Sequence, residues 1–212
     1  MKDSPTDTIL NKKPYLTKLE LSLLWEKKGK NLDNKIQTLL HNNQLISLKN
    51  GLYVSQTYLS QWANKTSYLE FVANILYYPS YLSLEYVLQK ENVIPEAVYV
   101  YTSITNKLTR HYQNDLGSFS YRSLKPELFT GFEEVNFNGI HQVKIATKVK
   151  ALFDWLYLKT FANPLAQEIK YDLRINWQLF NLDDLAEFAQ YAQLSKVKKM
   201  TRIYELFHQK LS

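Results

Sequence analysis

The sequence predicts an α+β protein built in two parts, and three observations carry the prediction. Asn31 to Ser55 reads as an amphipathic helix running into a tight hairpin. From Ala97 the apolar period changes from helical to alternating, and from Thr147 it returns to helical. Helices on either side of a short β-rich stretch make the larger part α+β, with a small, mainly antiparallel sheet flanked by helices.

The first part is justified residue by residue. Ser4, Pro5 and Asp7 suit an N-cap, a first helical position and an N3 acid, so a short helix is expected to run to about Lys13 and to end at Pro14. Thr17 and Glu20 have capping-box spacing, with Leu16 and Leu21 placed as a hydrophobic staple. The helix they open is expected to bury Leu21, Leu24 and Trp25 and to stop near Gly29 at a left-handed C′ position. The next helix carries Leu32, Ile36, Leu39 and Leu40 as its apolar stripe. At about 100° per residue, Asn34, Gln37, Thr38 and His41 fall on the far side, with Lys35 at the flank. Asn50-Gly51 then tips a hairpin as a two-residue type I′ turn with Leu48 opposite Tyr53. Helix, turn, polar-faced helix and basic-tipped hairpin is the order of a winged helix-turn-helix, whose second helix enters the major groove. The competing reading is a small helical subdomain whose hairpin closes its own core.

Composition sets the outer limits. The chain has 212 residues, 45% of them hydrophobic and 14% aromatic, which favours packed domains over disorder. It has no cysteine, so disulfides, thiolate zinc sites and thiol catalysis are excluded together. The histidines at 41, 111, 141 and 208 are scattered in sequence, and neither a metal nor a cofactor is expected. Met1 to Leu10 lacks the apolar core of a leader, and no apolar run approaches the roughly 18 residues of a bilayer span, so the expectation is a cytoplasmic protein without a membrane partner. Net charge is +6, and residues 1–70 hold ten Lys against six Asp and Glu, so a third of the chain carries two thirds of the excess. That is the mild footprint of a phosphate-facing module, although solvated lysines give the same count.

Ala63-Asn64-Lys65-Thr66 is the expected boundary, which gives a DNA-binding domain over residues 1–66 and an α+β domain over residues 67–212. Ser67 and Glu70 repeat the capping-box spacing and open a helix to about Tyr77, broken by Pro79. Tyr81 to Glu91 reads as helical, and Ala97 onward as a strand. Ser118 to Leu124, Glu134 to Phe137 and Ile140 to Ile145 are further strands, the last two joined tightly at Asn138-Gly139. Thr147 caps a helix that buries Val149, Leu152, Phe153 and Leu156, and Asn163-Pro164 restarts another. Asn181 and Ser195 stand as N-caps before two final helices.

Four segments in order resemble the AbiEi-type antitoxin family of abortive-infection, type IV toxin–antitoxin systems. They are NGLYVS at 50–55, YPSYLSLEYVLQKENVIPE at 78–96, VYVYTSITNKLTR at 98–110 with GSFSYRSLKPELFTG at 117–131, and IATKVKALFDWLYL at 145–158. Pro79-Ser-Tyr-Leu-Ser-Leu-Glu85 and Ala146-Thr-x-x-Lys-Ala-Leu-x-Asp154 are the more specific pieces. The resemblance implies an N-terminal domain that represses the protein's own operon and a C-terminal domain needed for antitoxicity. It also implies a nucleotidyltransferase-like toxin as functional partner, countered without a stable complex. The chain departs from the strongest base-reading chemistry in one respect: its first 66 residues contain no arginine for a bidentate contact to guanine. Asn34 and Gln37 instead match adenine edges and the Thr38 methyl matches thymine, which points to an A·T-rich duplex operator. Lys28, Lys30, Lys35 and Lys49 are the expected phosphate contacts, with His41 and Asn50 beside them.

Three further constellations stand out in the sequence. Thr102, Ser103, Thr105, Arg110, Tyr121, Arg122 and Lys125 gather hydroxyls, aromatics and cations suited to a phosphate, a nucleotide or an RNA strand, and are the expected antitoxin residues; the alternative is an ordinary sheet face with capped turns. Asp154 with Glu168-Ile-Lys170 imitates a metal-dependent nuclease, but the residues fall in expected helices, so the chain is read as not an enzyme. Lys196, Lys198, Lys199 and Arg202 crowd the start of the last helix, where positive charge opposes the helix dipole; nucleic acid, Glu187 or another acid of the preceding helix would relieve it, and the alternative is a solvated basic turn. The rival function is a stand-alone winged-helix regulator with a C-terminal ligand-sensing domain.

Overall fold

The computed structural model describes residues 5–211 and is α+β, with one three-stranded and one six-stranded sheet. The chain forms two compact units, Met1–Val72 with Tyr112–Gly117, and Ala73–His111 with Ser118–Ser212. Among the described residues no helix is long and apolar enough to cross a membrane.

The first unit begins with α1 (Pro5–Lys12); the expected Ser4 cap lies outside the described residues. β1 (Leu16–Thr17) leads into α2 (Lys18–Trp25), whose capping box forms as the spacing requires: Glu20 N donates to Thr17 Oγ1 at 3.1 Å, and Thr17 N donates to Glu20 Oε2 at 2.8 Å. α2 does not reach Gly29. Glu26 takes the left-handed conformation at φ 53° and Lys27 N closes on Ser22 O at 3.1 Å, a Schellman-type stop one turn earlier than expected. Gly29 instead opens α3 (Gly29–His41), so the link between the two helices is shorter than the sequence suggested.

β2 (Leu45–Lys49) and β3 (Leu52–Ser55) form the hairpin, and the sheet order is β1-β3-β2. Two details differ from expectation. Ser47, not Leu48, stands opposite Tyr53, because the register shifts between Ser47 and Lys49. The positive φ at the turn falls on Gly51 alone (76°), which excludes a type I′ turn, and the bulge supplies the twist instead. The Leu48 carbonyl at that irregularity accepts from Asn114 Nδ2 at 2.9 Å, and the Gly51 carbonyl accepts from Lys18 N at 2.9 Å. The core of this unit is Leu16, Leu21, Leu32, Ile36, Leu45 and Tyr53, with Trp25, Leu39 and Leu40 packed against it. α4 (Gln56–Ser60) follows, capped by Ser55. α5 (Thr66–Leu76) starts one residue before the expected Ser67 cap, since Thr66 N already donates to Asn64 Oδ1 at 2.9 Å.

In the second unit the stretch read as continuous helix from Tyr81 is first a strand, β4 (Ser80–Leu82), and then α6 (Leu84–Lys90). β5 (Val100–Thr105), β6 (Arg110–Asn114), β7 (Gly117–Ser123), β8 (Phe132–Phe137) and β9 (His141–Ala146) complete a sheet of order β6-β7-β5-β4-β9-β8, with Tyr112–Asn114 of β6 and Gly117 of β7 counted to the first unit. The sheet is larger than expected and mixed rather than mainly antiparallel: β4 runs antiparallel to β5 and β8 to β9, while β4–β9 and β5–β7 are parallel. β4, a strand the sequence does not predict, is part of the reason, because it inserts between β5 and β9, antiparallel to the first and parallel to the second. The link from β8 to β9 has three residues, Asn138 to Ile140, with Asn136 Oδ1 accepting from Gly139 N at 2.7 Å.

α7 (Lys148–Leu158) lies against this sheet, started by Thr147 Oγ1, which accepts from Lys150 N at 3.0 Å. Val149, Leu152, Phe153 and Leu156 are buried, as the helical period requires. α8 (Leu165–Gln167) passes into a π-helical turn, Glu168–Asp172. α9 (Leu182–Ser195) is opened by a capping box between Asn181 and Asp184. Ser195 does not cap the last helix: it ends α9, Lys196 adopts the left-handed conformation after it, and α10 (Lys198–Leu211) begins later. Phe153, Phe188 and Phe207 join α7, α9 and α10, with ring centroids 5.7 and 5.4 Å apart.

Candidate functional site

In the first unit α3 turns Leu32 and Ile36 into the core and leaves Asn34, Gln37, Thr38 and His41 exposed on its other side. The stripe of apolar residues at helical spacing fixes this rotation, since burying it forces the amides outward. Thr38 Oγ1 donates back to Asn34 O at 2.9 Å, so its hydroxyl hydrogen is already engaged. Lys28 and Lys30 are exposed and have no partner among the described residues. Lys35 is half-buried, its ammonium 4.4 Å from the Trp25 ring centroid, where the aromatic face attracts the cation. Asp33, on the same helix, pairs with Lys18 at 2.5 Å, which keeps its carboxylate in a neutralised pair. Lys49 is half-buried at the end of β2 and Asn50 is exposed in the turn.

The expected antitoxin residues of the second unit do not share one surface. Ser103, Thr105 and Tyr121 are buried in the sheet and offer no atom to a macromolecular partner. Tyr121 donates to Ala73 O at 2.6 Å, Thr105 donates to Pro79 O at 2.8 Å, and the Ser103 hydroxyl has no partner among the described residues. Thr102 is half-buried and locks the start of α6, donating to Ser83 O at 2.7 Å and accepting from Tyr86 N at 3.0 Å. Arg110, Arg122 and Lys125 are exposed and lack partners among the described residues. Ser123 N donates to Thr109 Oγ1 at 3.2 Å, which brings the Arg110 end of β6 beside the Arg122 end of β7. Alternation along the strands separates these groups: Tyr121 faces one side of the sheet and Arg122, opposite Ile104, the other.

Asp154 is a meeting point that sequence reasoning missed. It is completely buried on α7; one carboxylate oxygen takes Lys150 Nζ at 2.5 Å, and the other takes Tyr81 OH at 2.9 Å and Ser83 Oγ at 2.8 Å. The segments 79–85 and 146–154, singled out in sequence, are therefore joined through one side chain. Lys150 is also completely buried, and its ammonium lies 4.9 Å from the Phe153 ring and 5.1 Å from the Tyr191 ring. Burial pushes the Asp154 carboxyl up and the Lys150 ammonium down, and each is opposed by the charge and hydrogen bond of the other. Burial and the neighbouring Asp154 keep the Tyr81 phenol protonated, so it remains a donor. Glu187 extends the network by accepting from Thr147 Oγ1 and Tyr191 OH, both at 2.8 Å. The signal was present in sequence as the i,i+4 spacing of Lys150 and Asp154.

The nuclease imitation finds its carboxylates otherwise engaged. Asp154 is enclosed as described, and Glu168 Oε1 accepts from Ala162 N and Asn163 N, each at 2.6 Å. Those backbone N–H groups, from Asn163 first, with Lys159 adding its charge, hold the Glu168 carboxyl below its usual range against the effect of burial. Lys170 is exposed. At the basic start of the last helix Lys199 Nζ meets neutral backbone oxygens and not an acid, donating to Tyr157 O at 2.7 Å and Lys159 O at 3.0 Å at the carbonyl end of α7. Lys196, Lys198 and Arg202 are exposed. No protein-family model matches the chain, and no curated protein matches it either.

Proposed function

We propose that the chain is a duplex-DNA-binding autorepressor that also serves as the antitoxin of a type IV toxin–antitoxin pair, and that it is not an enzyme. The observation that carries the reading is the outer face of α3, where Asn34, Gln37, Thr38 and His41 are exposed opposite the buried Leu32 and Ile36. The succession of α1, β1, α2, α3 and a two-stranded hairpin, with sheet order β1-β3-β2, supports a winged-helix assignment. In that assignment α3 reads the major groove. Asn34 and Gln37 pair with adenine edges, the Thr38 methyl packs on thymine, and Lys28, Lys30, Lys35, Lys49 and Asn50 meet the backbone.

The antitoxin half rests on the four segments that resemble that family. Three of them, 78–96, 117–131 and 145–158, converge in the fold: Tyr81 and Ser83 reach Asp154, and Gly131 lies against Tyr191 and Lys150. The functional partner is a nucleotidyltransferase-like toxin, which the reading requires in an adjacent reading frame. The test is coexpression with that toxin together with a reporter under DNA from upstream of the gene. Intact chain is expected to rescue growth and silence the reporter, and the double substitution Asn34→Ala, Gln37→Ala to lose silencing while keeping rescue. Absence of both activities in the intact chain contradicts the proposal.

A further inference from the structure

The geometry points to a binding site for a nucleoside phosphate in the second unit, in a cleft between Arg122 on β7 and Lys159 at the end of α7. The site stands apart from DNA reading by α3. The cleft encloses about 320 Å³ and is lined by Leu84, Glu85, Arg122, Trp155, Lys159 and Thr160, which is the lower end of the range that takes small ligands.

Charge and hydrogen bonding in the cleft are unbalanced in one direction. Arg122 pairs in register with Ile104, and Ile104 with Tyr81, so its stem leaves the sheet on the face that α7 covers. The guanidinium has no partner among the described residues, although Glu85 lines the same cleft. Glu85 is committed elsewhere, with Oε1 accepting from Trp155 Nε1 at 2.9 Å. Lys159 reaches Glu168 Oε2 only at 3.7 Å and lies about as loosely over Trp155 and Phe161, 6.0 and 5.8 Å from their ring centroids. Two cations therefore border the cleft with an open guanidinium fork, the geometry that grips phosphate oxygens in pairs.

The ligand must satisfy more than the cations. The second oxygen of Glu85 repels a bare anion and accepts hydroxyl hydrogens, and the Thr160 hydroxyl adds a donor and an acceptor. A molecule with a phosphate at one end and vicinal hydroxyls at the other meets both demands, which selects a ribonucleotide over inorganic phosphate. It reaches the cleft either free or as the 5′-phosphorylated end of an RNA strand.

The wall of the cleft is held under strain. Leu84 is a buried leucine at φ 61°, a conformation that costs a non-glycine residue energy and persists where the surroundings over-determine it. Ser83 is fixed on three sides: its N–H donates to Thr102 O at 3.0 Å, its carbonyl accepts from Thr102 Oγ1, and its hydroxyl donates to Asp154. The Asp154 network thereby holds Leu84 and Glu85 facing Arg122, which gives the buried ion pair a positioning task.

Calorimetric titration of the full chain tests the site with AMP, GMP, CMP and UMP, with adenosine and inorganic phosphate, and with a short RNA carrying or lacking a 5′-phosphate. At least one mononucleotide is expected to bind about tenfold or more tightly than adenosine or phosphate alone. Arg122→Ala is expected to weaken that binding by a similar factor at an unchanged melting temperature, since the residue is exposed and unpaired. Glu85→Gln is expected to narrow the preference for nucleotide over phosphate. Binding confined to the 5′-phosphorylated RNA and lost in Arg122→Ala supports the site and identifies RNA as its source. The proposal is overturned if no phosphate-bearing probe binds at millimolar concentration, if Arg122→Ala binds as tightly as the parent, or if inorganic phosphate binds as well as every nucleotide.

Discussion

Ser83 donates to Asp154 at 2.8 Å across 71 positions of sequence, and with Tyr81 it fills one carboxylate oxygen while Lys150 fills the other. Buried charges are tolerated only when paired and hydrogen-bonded. Asp154→Ala is expected to leave Lys150 as an unpaired buried cation and to lower stability by about 3–5 kcal/mol. Lys150→Met with Asp154→Leu is expected to recover part of that loss by removing both charges, the Tyr81 and Ser83 hydroxyls being left without their acceptor, as chemical denaturation of the three proteins would show. Equal destabilisation in single and double variants contradicts this.

Gly131 has φ 76°, and a Cβ there would stand 2.8 Å from Tyr191 Cζ and 2.9 Å from Lys150 Cδ, with the Tyr191 hydroxyl closer still. Gly131→Ala is expected to cost about 2 kcal/mol or more through backbone conformation and overpacking. Tyr191→Phe in the same chain removes the nearest atom and is expected to restore part of the loss in a double-mutant cycle, leaving the backbone component in place.

Much of this arrangement was written locally in the sequence. The capping box at Thr17–Glu20 and the N-cap at Asn181 depend on neighbours within three residues, so they form as read. The rotation of α3 and of α7 followed from apolar spacing alone. What was not legible depends on distant partners. Tyr81-Leu82-Ser83-Leu84 satisfies a helical pattern, yet Ser80–Leu82 becomes a strand because β5 and β9 flank it. Ser103, Thr105 and Tyr121 looked like available hydroxyls because sequence does not say which side of a strand is covered. Asp154 resembled a metal-binding carboxylate because its partners Tyr81 and Ser83 lie in another segment.

Ser103 and Thr105 sit on one strand with opposite hydrogen-bonding fates. The Ser103 hydroxyl is buried without a partner among the described residues, whereas Thr105 Oγ1 donates to Pro79 O and accepts from Lys107 N. Ser103→Ala is expected to leave stability unchanged or raise it by up to about 1 kcal/mol, and Thr105→Val to lower it by about 1–2 kcal/mol. Thermal unfolding of both variants checks the pair; destabilisation by Ser103→Ala sinks the assignment.

Glu168 links stability to pH. Its folded-state carboxyl is held below the usual range by Asn163 N, by Ala162 N and by Lys159. A depressed carboxyl contributes stability above its unfolded pKa and loses it as pH falls through the folded value. The melting temperature of the parent is therefore expected to fall on acidification below the ordinary glutamate range, near 4.5. Glu168→Gln is expected to start lower at neutral pH and to lose less on acidification, so the two curves converge in acid. Parallel curves contradict the linkage.

The outer face of α3 is the central claim, and competition gel shift reads it directly: the ratio of affinity for the DNA upstream of its own gene to affinity for random duplex. The parent is expected to prefer its own DNA, and Asn34→Ala with Gln37→Ala to reduce that ratio about tenfold or more. Lys28→Ala with Lys30→Ala is expected to weaken both duplexes alike and to flatten the salt dependence. An unchanged ratio in the Asn34, Gln37 double variant contradicts base reading by α3.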